Sequence, residues 1–149
     1  MRAVEAKCQI DAAPNMVLPE FVNVESMKKW WGADRGFIEA KEGGVWFVAW
    51  TDLESGFKYV SSGIVSKYDP NQIVEISNFV NLNPDYPVFG PMTLTFTAKA
   101  VDGGCELQVR QSGYQEGEAW DWYHDAVTEA WPEVLKTFKT YVESKKALV

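Results

Sequence analysis

The spacing of apolar residues changes along the chain, and the change limits the fold to one class. Between Phe37 and Ser112, apolar and polar residues alternate, which is the period of strands with one buried face. The clearest stretch is 92–98, where Met, Leu, Phe and Ala alternate with three Thr. After residue 118 the apolar residues recur at helical spacing. The sequence therefore predicts an antiparallel sheet followed by a long helix, an α+β fold.

Two short helices are predicted ahead of most of the sheet, between the first two strands. Pro14 suits the first turn of one helix, and Asn23 suits the cap of the second, which ends near Trp31. The segment Asn78–Pro91 is predicted to be a long loop between two strands, which either covers the mouth of a site or is a rigid surface loop stiffened by proline. The predicted strands are Ala3–Ile10, Phe37–Lys41, Val45–Asp52, Tyr59–Tyr68, Ile73–Phe79, Met92–Ala100 and Glu106–Ser112.

The stripe of the long helix that faces the sheet is rich in aromatic residues. Trp120, Tyr123, Trp131 and Phe138 all fall on it, and aromatic residues make up 14% of the chain, with seven Trp. Side chains of this size either fill a wide gap between sheet and helix or surround a ligand within it. The sequence leaves both possibilities open.

Composition excludes several classes of function. The chain has 149 residues, which fits one domain spanning 1–149. A net charge of −7 argues against nucleic acid and against an anionic membrane surface as partners. The longest apolar run, Val45–Trp50, is too short to insert into a membrane. Without an export signal, Cys8 and Cys105 are expected to be reduced thiols of a cytoplasmic protein.

Several local motifs occur in the order seen in one known superfamily. The chain resembles the START-like, or helix-grip, proteins (Bet v 1-like, SRPBCC), and within them the C-terminal domain of the activator of the heat-shock-protein-90 ATPase. The motifs that carry the resemblance are Ala13-Pro14 with Val17 and Phe21, Lys29-Trp30-Trp31-Gly32, Gly43-Gly44-Val45-Trp46, Ser62-Gly63-Ile64-Val65 running to Tyr68-Asp69-Pro70, Ser112-Gly113-Tyr114, and Ala130-Trp131.

The resemblance implies a helix-grip fold, in which a curved antiparallel sheet of about seven strands wraps on the C-terminal helix in the order β-α-α-β6-α. A cavity between sheet and helix is the expected binding site. Polar groups that could point inward are Gln111, Tyr59, Ser61, Tyr123 and Arg35. The candidate ligand-binding residues are Trp31, Trp46, Trp50, Tyr59, Phe79, Phe96, Gln111, Trp120, Tyr123, His124 and Val127.

Three functions are compatible with this fold. The favoured one is binding of a small apolar or aromatic molecule, with no cofactor and no metal. The second is a protein-interaction module of the chaperone ATPase-activator type, in which the apolar outer face of Val45, Phe47 and Ala49 contacts a chaperone or a second copy. The third is a polyketide-cyclase-like enzyme. It ranks lowest because no acid–base pair stands out, and the single histidine, His124, is better interpreted as a surface or rim residue.

Overall fold

In the described part of the chain, seven strands and a long C-terminal helix form the α+β helix-grip architecture that the sequence predicts. The structure is a computed structural model and describes residues 2–51 and 58–147. The first strand is followed by two short α-helices with a 3-10 turn (Leu18–Val22) between them. The elements are β1 (Arg2–Ile10), α1 (Pro14–Val17), α2 (Val24–Trp30), β2 (Arg35–Ile38), β3 (Val45–Trp50), β4 (Tyr59–Asp69), β5 (Ile73–Leu82), β6 (Phe89–Val101), β7 (Gly104–Tyr114) and α3 (Glu118–Ala147).

All seven strands belong to one antiparallel sheet in the order β1-β7-β6-β5-β4-β3-β2. The first strand therefore lies beside the last one, and β1 and β2 form the two edges. In this register Cys8 lies opposite Leu107, and Ile10 lies opposite Cys105. Both cysteines are unpaired thiols, as expected.

The predicted Asn78–Pro91 loop is wrong in its length. Strand β5 continues to Leu82 and β6 begins at Phe89, so that only residues 83–88 connect them. The backbone of Asn78 has a positive φ of 50°, and the register of β5 against β6 shifts on either side of Phe79. These irregularities break the alternation of apolar and polar residues, so the sequence pattern predicted that the strand ends at Phe79 and not at Leu82.

The end of the predicted strand Val45–Asp52 lies outside the described residues.

The two short helices begin where the sequence predicts. Pro14 is the first residue of α1, and the Asn23 side chain caps α2 by accepting the Ser26 backbone N–H at 3.2 Å. Both helices lie at the end of the sheet that the second half of α3 also covers.

Three phenylalanines join the short helices, the sheet and α3 into one core. The ring of Phe21 stacks on Phe96 at 3.9 Å and on Phe138 at 4.5 Å between centroids. The Trp46 indole N–H donates to the carbonyl of Phe21 at 3.0 Å. This dense packing fills the space under the second half of α3, and the open space lies under its first half.

No helix within the described ranges 2–51 and 58–147 is long and apolar enough to cross a membrane.

Candidate functional site

A cleft runs between the first half of α3 and the inner face of the sheet. It consists of two adjoining chambers of about 150 Å³ and about 220 Å³. Five residues line both chambers: Tyr59, Asn81, Tyr123, Val127 and Ala130. Because they share this lining, the chambers are two parts of one site, which we call the inner and the outer chamber.

A buried glutamine sets the polar geometry of the inner chamber. Gln111 on β7 is 2% exposed, and both ends of its amide are used. Its Nε2 donates to the Tyr123 hydroxyl at 3.1 Å, and its Oε1 accepts the Trp131 indole N–H at 3.0 Å. These bonds fix two aromatic side chains of α3 against the sheet. The remaining lining residues of the inner chamber are Trp31, Trp50, Ser61, Phe79, Trp131 and Val134.

Tyr123 lines both chambers, and its hydroxyl lies at the Gln111 amide. Burial raises the pKa of Tyr123 to about 12, although its hydrogen bond from Gln111 acts in the opposite direction. The phenol is therefore protonated at neutral pH. Because its oxygen accepts the Gln111 N–H, its own O–H remains a donor, and within residues 2–51 and 58–147 we find no acceptor for it. A ligand oxygen or ring nitrogen is a suitable acceptor.

A second polar pair faces the cleft from the sheet. The hydroxyl of Ser61 on β4 accepts from Nδ2 of Asn81 on β5 at 3.1 Å, and Ser61 is buried. The amide oxygen of Asn81 is the complementary acceptor for a ligand donor. All these groups are uncharged, and among the described residues that line the two chambers none is Asp, Glu, Lys, Arg or His.

Aromatic side chains border the mouth of the outer chamber. Trp122 on α3 lines it, and its ring stacks on Tyr86 of the β5–β6 connection at 3.9 Å, with the ring planes 9° apart. Both rings are about two-fifths exposed, so the stack lies where the chamber meets solvent. The shortened connection thus reaches the mouth of the cleft, where the longer loop was expected. Asn83, Phe89 and Ala126 complete the lining.

Most of the predicted site residues come together in this cleft. The seven that line it are Trp31, Trp50, Tyr59, Phe79, Gln111, Tyr123 and Val127. Arg35 does not point inward, because its side chain is 73% exposed on β2.

Four other predicted residues do not line either chamber. Trp46 and Phe96 belong to the aromatic core around Phe21. Trp120 packs edge-on against Phe89, with ring centroids 5.1 Å apart. His124 is half-buried, with its ring edge-on to Tyr114 at 5.0 Å. Trp120 and His124 lie on the side of α3 that faces the end of β7, which the broad apolar stripe did not distinguish from the cleft side.

Sequence reasoning missed several lining residues. Ala130, Trp131 and Val134 follow Tyr123 and Val127 at helical spacing, so the periodicity of α3 contained the signal for them. Asn81 had no such signal, because it falls in a segment that was predicted to be a loop.

A sheet that holds a long helix over an aromatic, uncharged cleft defines a helix-grip protein of the Bet v 1-like, SRPBCC class. The family model described as "Activator of Hsp90 ATPase homolog 1-like protein" matches residues 11–143. The chain belongs to this family. A search of curated protein sequences gave no match.

Solved structures with the same fold cover nearly the whole chain. A protein of unknown function from Staphylococcus aureus has a TM-score of 0.77 at 15% identity, over 98% of this chain and 96% of that one. The AHSA1 protein from Silicibacter pomeroyi has a TM-score of 0.73 at 17% identity, over 97% of this chain and 99% of that one. The Aha1 dimer from Colwellia psychrerythraea has a TM-score of 0.69 at 17% identity, over 96% of this chain and 97% of that one. At these identities the likeness establishes the fold alone.

Proposed function

We propose that the protein binds a small, uncharged, aromatic or apolar molecule in the two-chambered cleft. The observation that carries the proposal is the continuous lining of aromatic side chains interrupted by a few neutral polar groups. The inner chamber, about 150 Å³, has the volume that takes one benzene in an engineered apolar cavity. With the outer chamber added, the cleft has room for a compound of two rings.

The absence of charge in the described lining supports an uncharged ligand. A carboxylate or ammonium group that enters an apolar cleft loses part of its hydration and needs an opposite charge to compensate. The chambers offer hydroxyl and amide groups instead, and these compensate a neutral polar atom. The Tyr123 O–H can donate to the ligand, and the Asn81 amide oxygen can accept from it.

Calorimetric titration with 2-naphthol, a neutral two-ring compound, tests the proposal. The wild-type protein should bind it, and Val127→Trp should abolish binding because the new ring fills the place where the chambers meet. Glu129→Trp is the matched control, since it puts the same side chain on the exposed face of α3 two residues away. The 2-naphthoate anion should bind at least about tenfold more weakly than 2-naphthol. Equal loss of binding in both Trp variants would argue against a site in the cleft.

A second candidate function is recognition of a protein partner of the chaperone ATPase-activator type. Three apolar side chains on the outer face of the sheet favour it: Phe37 is 61% exposed, Val45 40% and Ile64 38%. Val45 and Ile64 lie directly opposite each other on β3 and β4. If this surface recognises a chaperone, the wild type should raise the chaperone's ATPase rate and Ile64→Lys should reduce the effect. An unchanged rate with wild-type protein would remove this candidate.

A further inference from the structure

The two edges of the sheet differ: α3 holds the C-terminal end of the β1 edge, and the β2 edge has no strand beside it among the described residues. At the β1 edge, the Lys139 ammonium of α3 donates to the carbonyl of Gln9, and the Glu143 carboxylate accepts the backbone N–H of Asp11. At the opposite edge β2 is the last strand, and it has no strand partner on its outer side among the described residues. An open edge offers unpaired backbone groups to a further strand.

The register of the β2–β3 hairpin shows which backbone groups of β2 point outward. The N–H of Glu39 donates to the carbonyl of Val45 at 2.9 Å, and Phe37 lies opposite Phe47. In an antiparallel pair, residues alternate between those bonded to the neighbour and those directed away from it. Phe37 therefore bonds inward, and the N–H and C=O groups of Gly36 and Ile38 point out of the sheet.

These outward groups suit a second copy of the same strand in antiparallel orientation. If the two-fold axis passes through Phe37, then Gly36 of one copy forms a hydrogen-bonded pair with Ile38 of the other. The two Phe37 residues meet in a non-hydrogen-bonded pair, the position at which side chains approach most closely. Phe37 is 61% exposed, so its ring is available for this contact.

The charged residues on either side of Phe37 are placed so that the same two-fold axis brings opposite charges together. Arg35 and Glu39 lie two residues to either side of it, so the axis places Arg35 of each copy opposite Glu39 of the other. Their side chains are 73% and 41% exposed. Within its own chain Arg35 makes a loose ion pair with Asp34 at 3.6 Å. Glu39 makes one with Lys41 at 3.8 Å and accepts the Val45 backbone N–H at 3.3 Å. An opposite-charge pair across two strands favours this register over others.

We propose that two copies of the chain associate by pairing their β2 strands, with Phe37 at the two-fold axis and Arg35 opposite Glu39. The sheets would then join into one continuous sheet of fourteen strands, twice the seven of each chain. The ligand cleft lies on the inner face of the sheet, between β3–β7 and α3, and none of its described lining residues comes from β2, so each copy keeps its own site.

Analytical ultracentrifugation over a range of protein concentrations tests the pairing. The wild type should show a concentration-dependent dimer. Phe37→Lys should weaken it at least about tenfold, because it removes the ring contact and brings two like charges together at the axis. Ile64→Lys is the matched control, since it also replaces an exposed apolar residue of the outer face, two strands away from the edge. It should leave the dimer unchanged.

A charge exchange tests the register. Arg35→Glu would place two carboxylates opposite each other at each end of the paired strands, and Glu39→Arg would place two guanidinium groups there. Each variant alone should therefore be largely monomeric. An equimolar mixture of the two variants restores both opposite-charge pairs and should form a heterodimer. Hydrogen exchange should show the amides of Gly36 and Ile38 slowing as the dimer forms. A monomeric wild type, a dimer that survives Phe37→Lys, or a mixture that stays monomeric would overturn the proposal.

Discussion

The hydrogen bond between Trp131 and Gln111 holds an aromatic side chain of the cleft in place, and its contribution to the free energy of unfolding can be measured. Replacing Trp131 by Phe keeps an aromatic ring on α3 and removes the indole N–H that donates to Gln111 Oε1 at 3.0 Å. Because Gln111 is only 2% exposed, the oxygen loses its partner in a place that water reaches poorly. An unpaired buried acceptor of this kind costs about 1–3 kcal/mol of unfolding free energy.

A double-mutant cycle separates that cost from the packing lost with the smaller ring. The variants are Trp131→Phe, Gln111→Leu and the two combined, and each is unfolded with urea while far-UV circular dichroism is followed. The change from indole to the smaller phenyl ring is the same in the single and the combined variant, so its packing contribution cancels in the cycle. We expect a coupling energy of about 1–2 kcal/mol between the two positions.

Trp46→Phe provides the control for this cycle. The Trp46 indole N–H donates to the carbonyl of Phe21 at 3.0 Å, so it makes a comparable buried bond elsewhere in the core. Its cycle with Gln111→Leu should give a coupling below about 0.5 kcal/mol. The reasoning is refuted if Trp131 and Gln111 also show a coupling that small, because the amide would then not orient the aromatic side chains of the cleft.

Three further predictions concern the core, the thiols and alkaline pH. Phe138→Ala should cost about 3–5 kcal/mol in urea unfolding and leave the affinity for 2-naphthol unchanged, and a loss of affinity would contradict the separation of core and cleft. Burial raises the pKa of Cys8 to about 11 and also raises that of Cys105, so iodoacetamide at about pH 8 should alkylate native protein more than about tenfold more slowly than unfolded protein. Equal rates would contradict it. Burial raises the pKa of Tyr123 to about 12, above that of an unfolded Tyr near 10, so the stability contributed by the neutral phenol is lost as the pH rises through this window. Tyr123→Phe should therefore lose less stability than wild type between about pH 10 and pH 12, and an identical loss would show that Tyr123 does not ionise on unfolding.

The fold could be predicted from periodicity because a strand or helix that is buried on one face has apolar residues at the spacing of that element. The alternation in β6 and the stripe of α3 both follow from facing a single core, and both elements lie where the sequence places them. The pattern failed around Asn78, where a positive φ and two register shifts move side chains off the regular alternation. A bulge of this kind depends on the neighbouring strand, which a local pattern does not contain.

The cleft was only partly predictable for a related reason. Periodicity identifies which side of a helix is buried, but Trp120 and Val127 are both on the buried side of α3, and only Val127 reaches the open space. They differ in what their side chains contact: Trp120 packs against the ring of Phe89, and Val127 lines the chambers. The distinction arises from partners that are distant in sequence, so it becomes visible only in three dimensions.

Nuclear Overhauser measurements on the complex with 2-naphthol test the central claim most directly, because they locate the ligand. Binding in the cleft predicts contacts from the naphthol ring protons to the methyl groups of Val127 and Ala130, which line both chambers. Contacts confined to exposed outer-face residues such as Val45 and Ile64, with none to the two α3 methyls, would show that the cleft between the sheet and α3 is not the binding site.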